Sequence, residues 1–202
     1  MIASILSSIL GSNRCVACDA PCRANAVFCA GCANAVERSD DPRAPFVYGG
    51  PIAAAITRFK YTPVPELARP LGELLAHEAA RFSFDVDAVV PVPLHVSRLF
   101  ERGFNQAALL AAPVSRALGV PHLPRALERM RATEKQAELD RSARVRNVAS
   151  AFRARSRVPA RILLVDDVRT TGATQDACAI ALRAAGCTDV RCLVLAIAPS
   201  IG

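Results

Sequence analysis

One stretch constrains this chain more than any other: Ile162-Leu-Leu-Val-Asp-Asp-Val-Arg-Thr-Thr-Gly-Ala-Thr174. Residues 162–165 form an unbroken apolar run between Arg161 and Asp166. That is the pattern of a strand buried on both faces of a parallel sheet. Asp166 and Asp167 fall where the strand should end, the edge at which open α/β sheets bind ligands. Thr170, Thr171, Gly172, Ala173 and Thr174 are small and mostly hydroxylated. Hinged on Gly172, their backbone can turn tightly and present several N–H groups together. From Thr174 onward, Ala177, Ile180, Ala181 and Ala184 are spaced for one buried helical face. Convergent N–H groups at a helix N-terminus make a phosphate site.

That geometry suggests a ligand. Two carboxylates a few residues before a phosphate cradle can accept hydrogen bonds from the 2′- and 3′-hydroxyls of a ribose whose 5-phosphate the loop holds. Four apolar residues, two acidic, two variable (Val168 and Arg169), then T-T-G-x-T resemble the phosphoribosyl pyrophosphate (PRPP) signature of type I phosphoribosyltransferases. An ordinary strand–turn–helix with an acidic N-cap would not require this combination.

At 202 residues and 52% apolar, the chain can bury one substantial core and a small appendage. No apolar run is long enough to span a bilayer, so no transmembrane segment is expected. Residues 1–10 carry Ile2, Ile5, Leu6 and Ile9 on one helical face. They lack a basic lead-in and a cleavage site, which argues against a secretory signal and for a cytoplasmic protein. An amphipathic packing helix is the expectation there, with a membrane-surface contact as the alternative. The net charge is +7, and residues 125–161 hold eleven Lys/Arg against four Asp/Glu. This suggests an anionic partner, either a polyphosphate or nucleic acid, although a solvated arginine-rich face would look the same.

Eight cysteines fall into two groups. Cys15-x-x-Cys18 and Cys29-x-x-Cys32 are knuckles ten residues apart. Two knuckles complete a four-thiolate structural zinc site, whose metal supplies the folding energy a short segment lacks. Cys22 is spare, or a substitute ligand. Disulfides are the weaker reading without a secretory signal. Cys178, Cys187 and Cys192 read as small core residues.

The remaining chain alternates strand and helix signals. Residues 37–45 look like a linker between a module at 1–40 and a larger domain at 45–200. A short strand at 46–48, helices at 52–59 and 65–82, and a strand at 87–93 with its proline-punctuated exit loop follow. The second helix shows Leu67, Leu71, Leu74, Leu75 and Ala79 as its stripe. A helix at 105–118 is expected to turn Ala108, Leu109, Ala112 and Leu118 inward and to kink at Pro113. Residues 125–136 are polar and suit a mobile hood, 139–152 regain partial helical spacing through Val145, Val148 and Phe152, and 189–198 form the last strand. Of the histidines, His77 and His122 carry no pattern, while His95 follows the exit loop and suits a capping role better than a substrate contact.

Taken in order, these motifs sharpen the resemblance. Paired cysteines, Phe59-Lys-Tyr61, Val90-Pro-Val-Pro-Leu94, the run from Arg102 to Ala107 (R-G-F-N-Q-A), Arg129 to Gln136, Arg144 to Phe152 and the PRPP signature together are similar to the ComF family, bacterial proteins associated with competence and DNA uptake. Glu134-Lys135 replaces small polar residues common there. The resemblance implies an α/β fold of the type I phosphoribosyltransferase kind, a parallel sheet flanked by helices, with an N-terminal zinc ribbon. It implies binding of Mg²⁺-PRPP by Asp166, Asp167, Val168, Thr170, Thr171, Gly172, Ala173 and Thr174, with Asp166 and Asp167 as the catalytic pair. Val92, Pro93, Arg98 and Arg102 would meet the pyrophosphate. From the residues themselves, Gln136, Arg141 and Arg144 face either the pyrophosphate or acceptor base, or solvent. The expected activity is phosphoribosyl transfer to an acceptor the sequence does not name. The alternative is a non-catalytic adaptor that contacts a helicase or single-stranded DNA, although Phe152 alone accompanies the arginines of 125–161 as a stacking surface. A homodimer stays open.

Overall fold

The computed structural model describes residues 14–61, 67–82, 84–130 and 151–199. In chain order these form α1 (Ala30–Asn34), β1 (Phe46–Val47), α2 (Gly50–Tyr61), α3 (Ala68–Arg81), β2 (Ala88–Pro91) and α4 (Val96–Arg102). Then come α5 (Gln106–Leu118), β3 (Leu127–Arg129), β4 (Phe152–Ala154), β5 (Arg161–Arg169), α6 (Ala173–Ala184) and β6 (Asp189–Ile197). Four strands pair in parallel in the order β1-β6-β5-β2, and β3 and β4 form a separate antiparallel hairpin. His122 adds a single parallel bridge to Val89 at the β2 edge.

β5 lies inside the sheet, so each face of its apolar run meets a core. Residues 162–165 are fully buried. Leu163 and Val165 enter one cluster with α2, α3 and α5, whereas Ile162 and Leu164 enter a second with α6 and the β3–β4 hairpin. Each such side chain contributes about 1.5–3 kcal/mol of gross burial energy. The strand does not stop at the acidic pair as its sequence suggests. Pairing with β6 carries it through Asp166 and Asp167 to Arg169, because Ala196 and Ile197 still offer partners there.

Several expectations shift in detail. Leu71, Leu75 and Ala79 of α3 are buried as the stripe requires. α5 instead buries Ala107, Leu110, Ala111 and Val114, with Ala108, Leu109, Ala112 and Leu118 only half-buried. In α6, Ile180 and Ala184 are exposed, and Ala177, Cys178, Ala181 and Leu182 point inward. Phe152 belongs to β4, because it pairs with Arg129 across the hairpin rather than extending a helix. Residues 37–45 are tied down: Ser39 N–H donates to Pro45 O, the Arg43 carbonyl accepts from Val194, and Arg38 pairs with buried Glu78. The expected helix at 1–10, and Gln136, Arg141, Arg144, Val145 and Val148, lie outside the described residues.

The N-terminal cysteines join this body directly. Cys15, Val16 and Ala17 are buried in the same cluster as Ile52, Ile56 and Phe59 of α2. The Arg58 guanidinium donates to the carbonyls of Cys15 (2.9 Å) and Val16 (3.0 Å) and to Asp19 (2.7 Å).

Candidate functional site

A cavity of about 730 Å³ opens at the C-terminal ends of β2 and β5. It is lined by Asp166, Asp167 and Thr174 from β5 and α6, by Val92, Pro93 and Leu94 after β2, and by His95, Arg98, Glu101 and Arg102 at α4. Lys60 of α2, Asn105, Gln106 of α5 and Arg129 of β3 complete the wall. Seven of the residues singled out in the sequence therefore share one cavity. Val168, Thr170, Thr171, Gly172 and Ala173 lie beside it rather than in its wall. Thr170 and Thr171 are exposed at the turn, and Val168 packs against the core.

Each wall has a local cause. Val92 is held by Asn105, whose Nδ2 donates to the Val92 carbonyl at 3.1 Å while its Oδ1 caps α5 by accepting from Ala107. His95 caps α4, its Nδ1 accepting from the Ser97 amide at 3.3 Å. Gly172 precedes α6 with φ of +84°, a left-handed conformation that disfavours any Cβ. A Cβ there would also lie 2.1 Å from the Arg169 guanidinium, so the turn closes over that arginine. Arg169 reaches Asp176 at 3.5 Å.

The acidic pair is engaged on three of its four oxygens. Asp166 Oδ1 accepts from the Asp167 amide at 2.9 Å, and Asp166 Oδ2 accepts from Gln175 Nε2 at 2.7 Å. The buried Gln175 also donates to the Val168 carbonyl at 3.3 Å, which fixes its rotamer. Lys60 Nζ lies 2.6 Å from Asp167 Oδ2, an ion pair by distance although its angle departs from a regular hydrogen bond. Burial, and then the charge of Asp167, push the Asp166 carboxyl up to about 8, against smaller opposing effects of the Asp167 amide, Lys60 and Gln175. Burial also lowers Arg129, whose guanidinium sits 5.3 Å over the Phe152 ring.

Lys60, Arg98, Arg102 and Arg129 face Asp166, Asp167 and Glu101, which suits an anionic ligand. A divalent ion held directly by the acidic pair does not fit this arrangement. It needs carboxylate oxygens at about 2.0–2.1 Å, and three of the pair's four are already engaged by Lys60, Gln175 and the Asp167 amide, which leaves Asp167 Oδ1 alone.

Lys60, Asn105, Gln106, Arg129 and Gln175 were not assigned to the site from sequence. Lys60 and Gln106 were nevertheless visible within the F-K-Y and R-G-F-N-Q-A motifs. Those motifs meet in space: Phe59 stacks on Phe104 at 5.8 Å, and Arg102 lies 5.1 Å over the Tyr61 ring.

The second site is the cysteine cluster. The Sγ atoms of Cys15, Cys18, Cys29 and Cys32 all lie within 4.8 Å of one another, and those of Cys18 and Cys29 are 3.7 Å apart. Thiolates at 2.3 Å from a tetrahedral zinc stand about 3.8 Å apart, so the set is at zinc-binding distance. Burial alone would raise the Cys15 thiol, but the amides of Cys18, Cys29 and Ala17 and the Cys18 thiol outweigh it and bring it to about 6. Cys22 stays outside the four, its thiol directed at the Ala20 carbonyl.

Comparison with known proteins gives consistent relatives. The chain is 34% identical to competence protein F of Haemophilus influenzae over 153 residues, covering 71% of this chain and 67% of that one. It is 39% identical to the DNA utilization protein YhgH of Escherichia coli K12 over 133 residues, and 38% identical to that of Salmonella typhi. These YhgH matches span 63% of this chain and 59% of the relative's length. No family model matches. Among solved structures, the Bacillus subtilis glutamine PRPP amidotransferase superposes with a TM-score of 0.41 at 24% identity, covering 60% of this chain and 24% of that one. The purine phosphoribosyltransferase of Pyrococcus horikoshii gives 0.41 at 16%, covering 68% and 78%. No helix among the described residues is long and apolar enough to cross a membrane.

Proposed function

The chain belongs to the ComF family, that of competence protein F and the DNA utilization protein YhgH, and from that premise we propose that it binds a ribose 5-phosphate group, with PRPP as the activated form. The single observation that carries this reading is the convergence of the acidic pair and four cations on one cavity. Asp166 and Asp167 accept from the ribose hydroxyls, and the glycine-hinged turn at 170–174 offers its amides to the 5-phosphate. Arg98, Arg102 and the loop at Val92 and Pro93 face the leaving pyrophosphate.

Transfer from such a donor breaks the bond between C1 and the pyrophosphate oxygen, and the ribose ring takes on oxocarbenium character. The protein then supplies position and electrostatics rather than a nucleophile. The acidic pair faces the developing cation, while the arginines stabilise the departing anion. The acceptor nucleophile forms the new bond to C1 as the pyrophosphate leaves with the electron pair of the broken bond.

Calorimetry tests this with zinc-loaded protein and PRPP or ribose 5-phosphate. Saturable binding is expected, with affinity falling on the order of tenfold or more when Asp166→Asn and Asp167→Asn are combined. Absence of binding, or an unchanged affinity in the double variant, overturns it.

The relatives' names, competence protein and DNA utilization protein, favour a second reading, a part in handling DNA; the form we carry is an adaptor that contacts single-stranded DNA or a helicase. The exposed arginines are partly neutralised internally, however. Arg153 and Arg155 pair with Glu128, and Arg161 pairs with Asp85 and Asp87. Filter binding of single strands at two salt concentrations separates the readings, because phosphate contacts give an affinity that falls steeply with salt.

A further inference from the structure

The F-K-Y motif places a lysine directly against the acidic pair. Lys60 lies in the last turn of α2, where the carbonyl end of the helix favours a positive charge. Its neighbours fix that turn: Phe59 is fully buried and stacked on Phe104, while the Tyr61 ring lies under Arg102. The ammonium is thereby held at 2.6 Å from Asp167 Oδ2, with the two side chains only 23% and 8% exposed. Gln175 and the Asp167 amide take both oxygens of Asp166.

We propose that Lys60 is the resident cation of the acidic pair, occupying the position of a directly bound divalent ion and letting the pair recognise the ribose diol without metal. This deepens the ribose-phosphate reading and rests on it. The reason is geometric. A metal bonded to Asp167 Oδ2 would have to share that one oxygen with the Lys60 ammonium 2.6 Å away, and two cations on one oxygen repel each other. With Lys60 present, the pair's neighbouring charges are already balanced. Lys60 is a positioning residue: it fixes the orientation of Asp167, leaving the remaining oxygen to accept from a hydroxyl. Any Mg²⁺ that accompanies PRPP is then carried by the pyrophosphate, away from the pair.

Two measurements on the full zinc-loaded chain decide this. The first uses Mn²⁺ alone, followed by the loss of its free-ion EPR signal. The wild type is expected to show no Mn²⁺ site that depends on the pair, and Lys60→Met to gain one that Asp167→Asn removes. The second uses ribose 5-phosphate, which lacks pyrophosphate, in magnesium-free buffer without chelator. Wild-type affinity is expected to be indifferent to added Mg²⁺. Lys60→Met should lose on the order of tenfold and regain part of it with Mg²⁺, whereas Lys60→Arg should retain most binding.

A wild-type Mn²⁺ site abolished by Asp167→Asn overturns the proposal, as does wild-type binding of ribose 5-phosphate that requires Mg²⁺, or a Lys60→Met variant that binds like the wild type. Failure of the wild type to bind ribose 5-phosphate or PRPP at all removes the sugar-phosphate reading instead, and the Mn²⁺ result still decides the role of Lys60.

Discussion

Asp166 and Asp167 are adjacent in sequence but occupy different electrostatic situations. Asp167 faces an ammonium, whereas Asp166 faces a neutral amide and a backbone N–H. Burial and the neighbouring charge raise the Asp166 carboxyl to about 8. The folded state therefore holds a proton that the unfolded chain has released above about pH 4. Stability from this group is fully present below that value and is lost as pH rises towards 8, where the folded protein also ionises. Asp166→Asn removes the titration, so its stability relative to wild type should improve steadily as pH rises across this window. Urea denaturation at intervals between pH 5 and 9 checks this; parallel pH profiles for the two proteins would contradict it. The pair itself was legible in sequence because its spacing from the glycine turn is a motif. Its partners were not: Gln175 lies on the far side of the turn, and Lys60 is more than a hundred residues upstream. Only folding brings such polar partners together, and a lone Lys or Gln carries no periodic signal.

At the scale of elements, existence was easier to read than orientation. Every predicted strand and helix that falls within the described residues formed, except the helical spacing that ran into Phe152. The buried face of α5 was missed because Ala and Leu appear on nearly all sides of it, so period alone cannot choose a face. The structure shows why: β2 and β5 lie against one side, and α3 packs against another. That second contact depends on Gly72. A Cβ built there would lie 2.6 Å from Pro113 Cγ and 3.4 Å from the Leu109 carbonyl oxygen. Pro113 has no N–H to donate to that carbonyl, and its ring fills the space Gly72 leaves open. Gly72→Ala gains about 1 kcal/mol of helix propensity, but overpacking at this crossing costs about 1–3 kcal/mol. Net destabilisation of up to about 2 kcal/mol is expected. Adding Pro113→Ala should recover part of that loss, and the coupling appears in a double-mutant cycle by urea unfolding. Additive effects would mean that the two residues do not meet.

For the whole molecule, the question is whether the cysteine cluster acts alone. Its spacing was legible because four thiolates in two knuckles are a complete ligand set. Its attachment was not, since nothing in the sequence shows that Cys15, Val16 and Ala17 share a core with Ile52, Ile56 and Phe59. Arg58 strengthens the join by donating to the carbonyls of Cys15 and Val16, two residues before Lys60 in the same last turn of α2. Loss of a metal held by Cys15, Cys18, Cys29 and Cys32 should therefore loosen the C-terminal turn of α2 as well as the knuckles. Stripping the metal, or replacing Cys18 with Ser, is expected to lower stability, because binding free energy at such a site is folding free energy, and each kcal/mol lost lowers Tm by about 2–4 °C for a chain of this size. It should also weaken ribose 5-phosphate binding through Lys60, although no cysteine lines that cavity. Calorimetric melting combined with ligand titration separates the outcomes. One transition that shifts as a unit, together with reduced affinity, supports the coupling. An early local transition that leaves affinity intact would make the cluster an independent module.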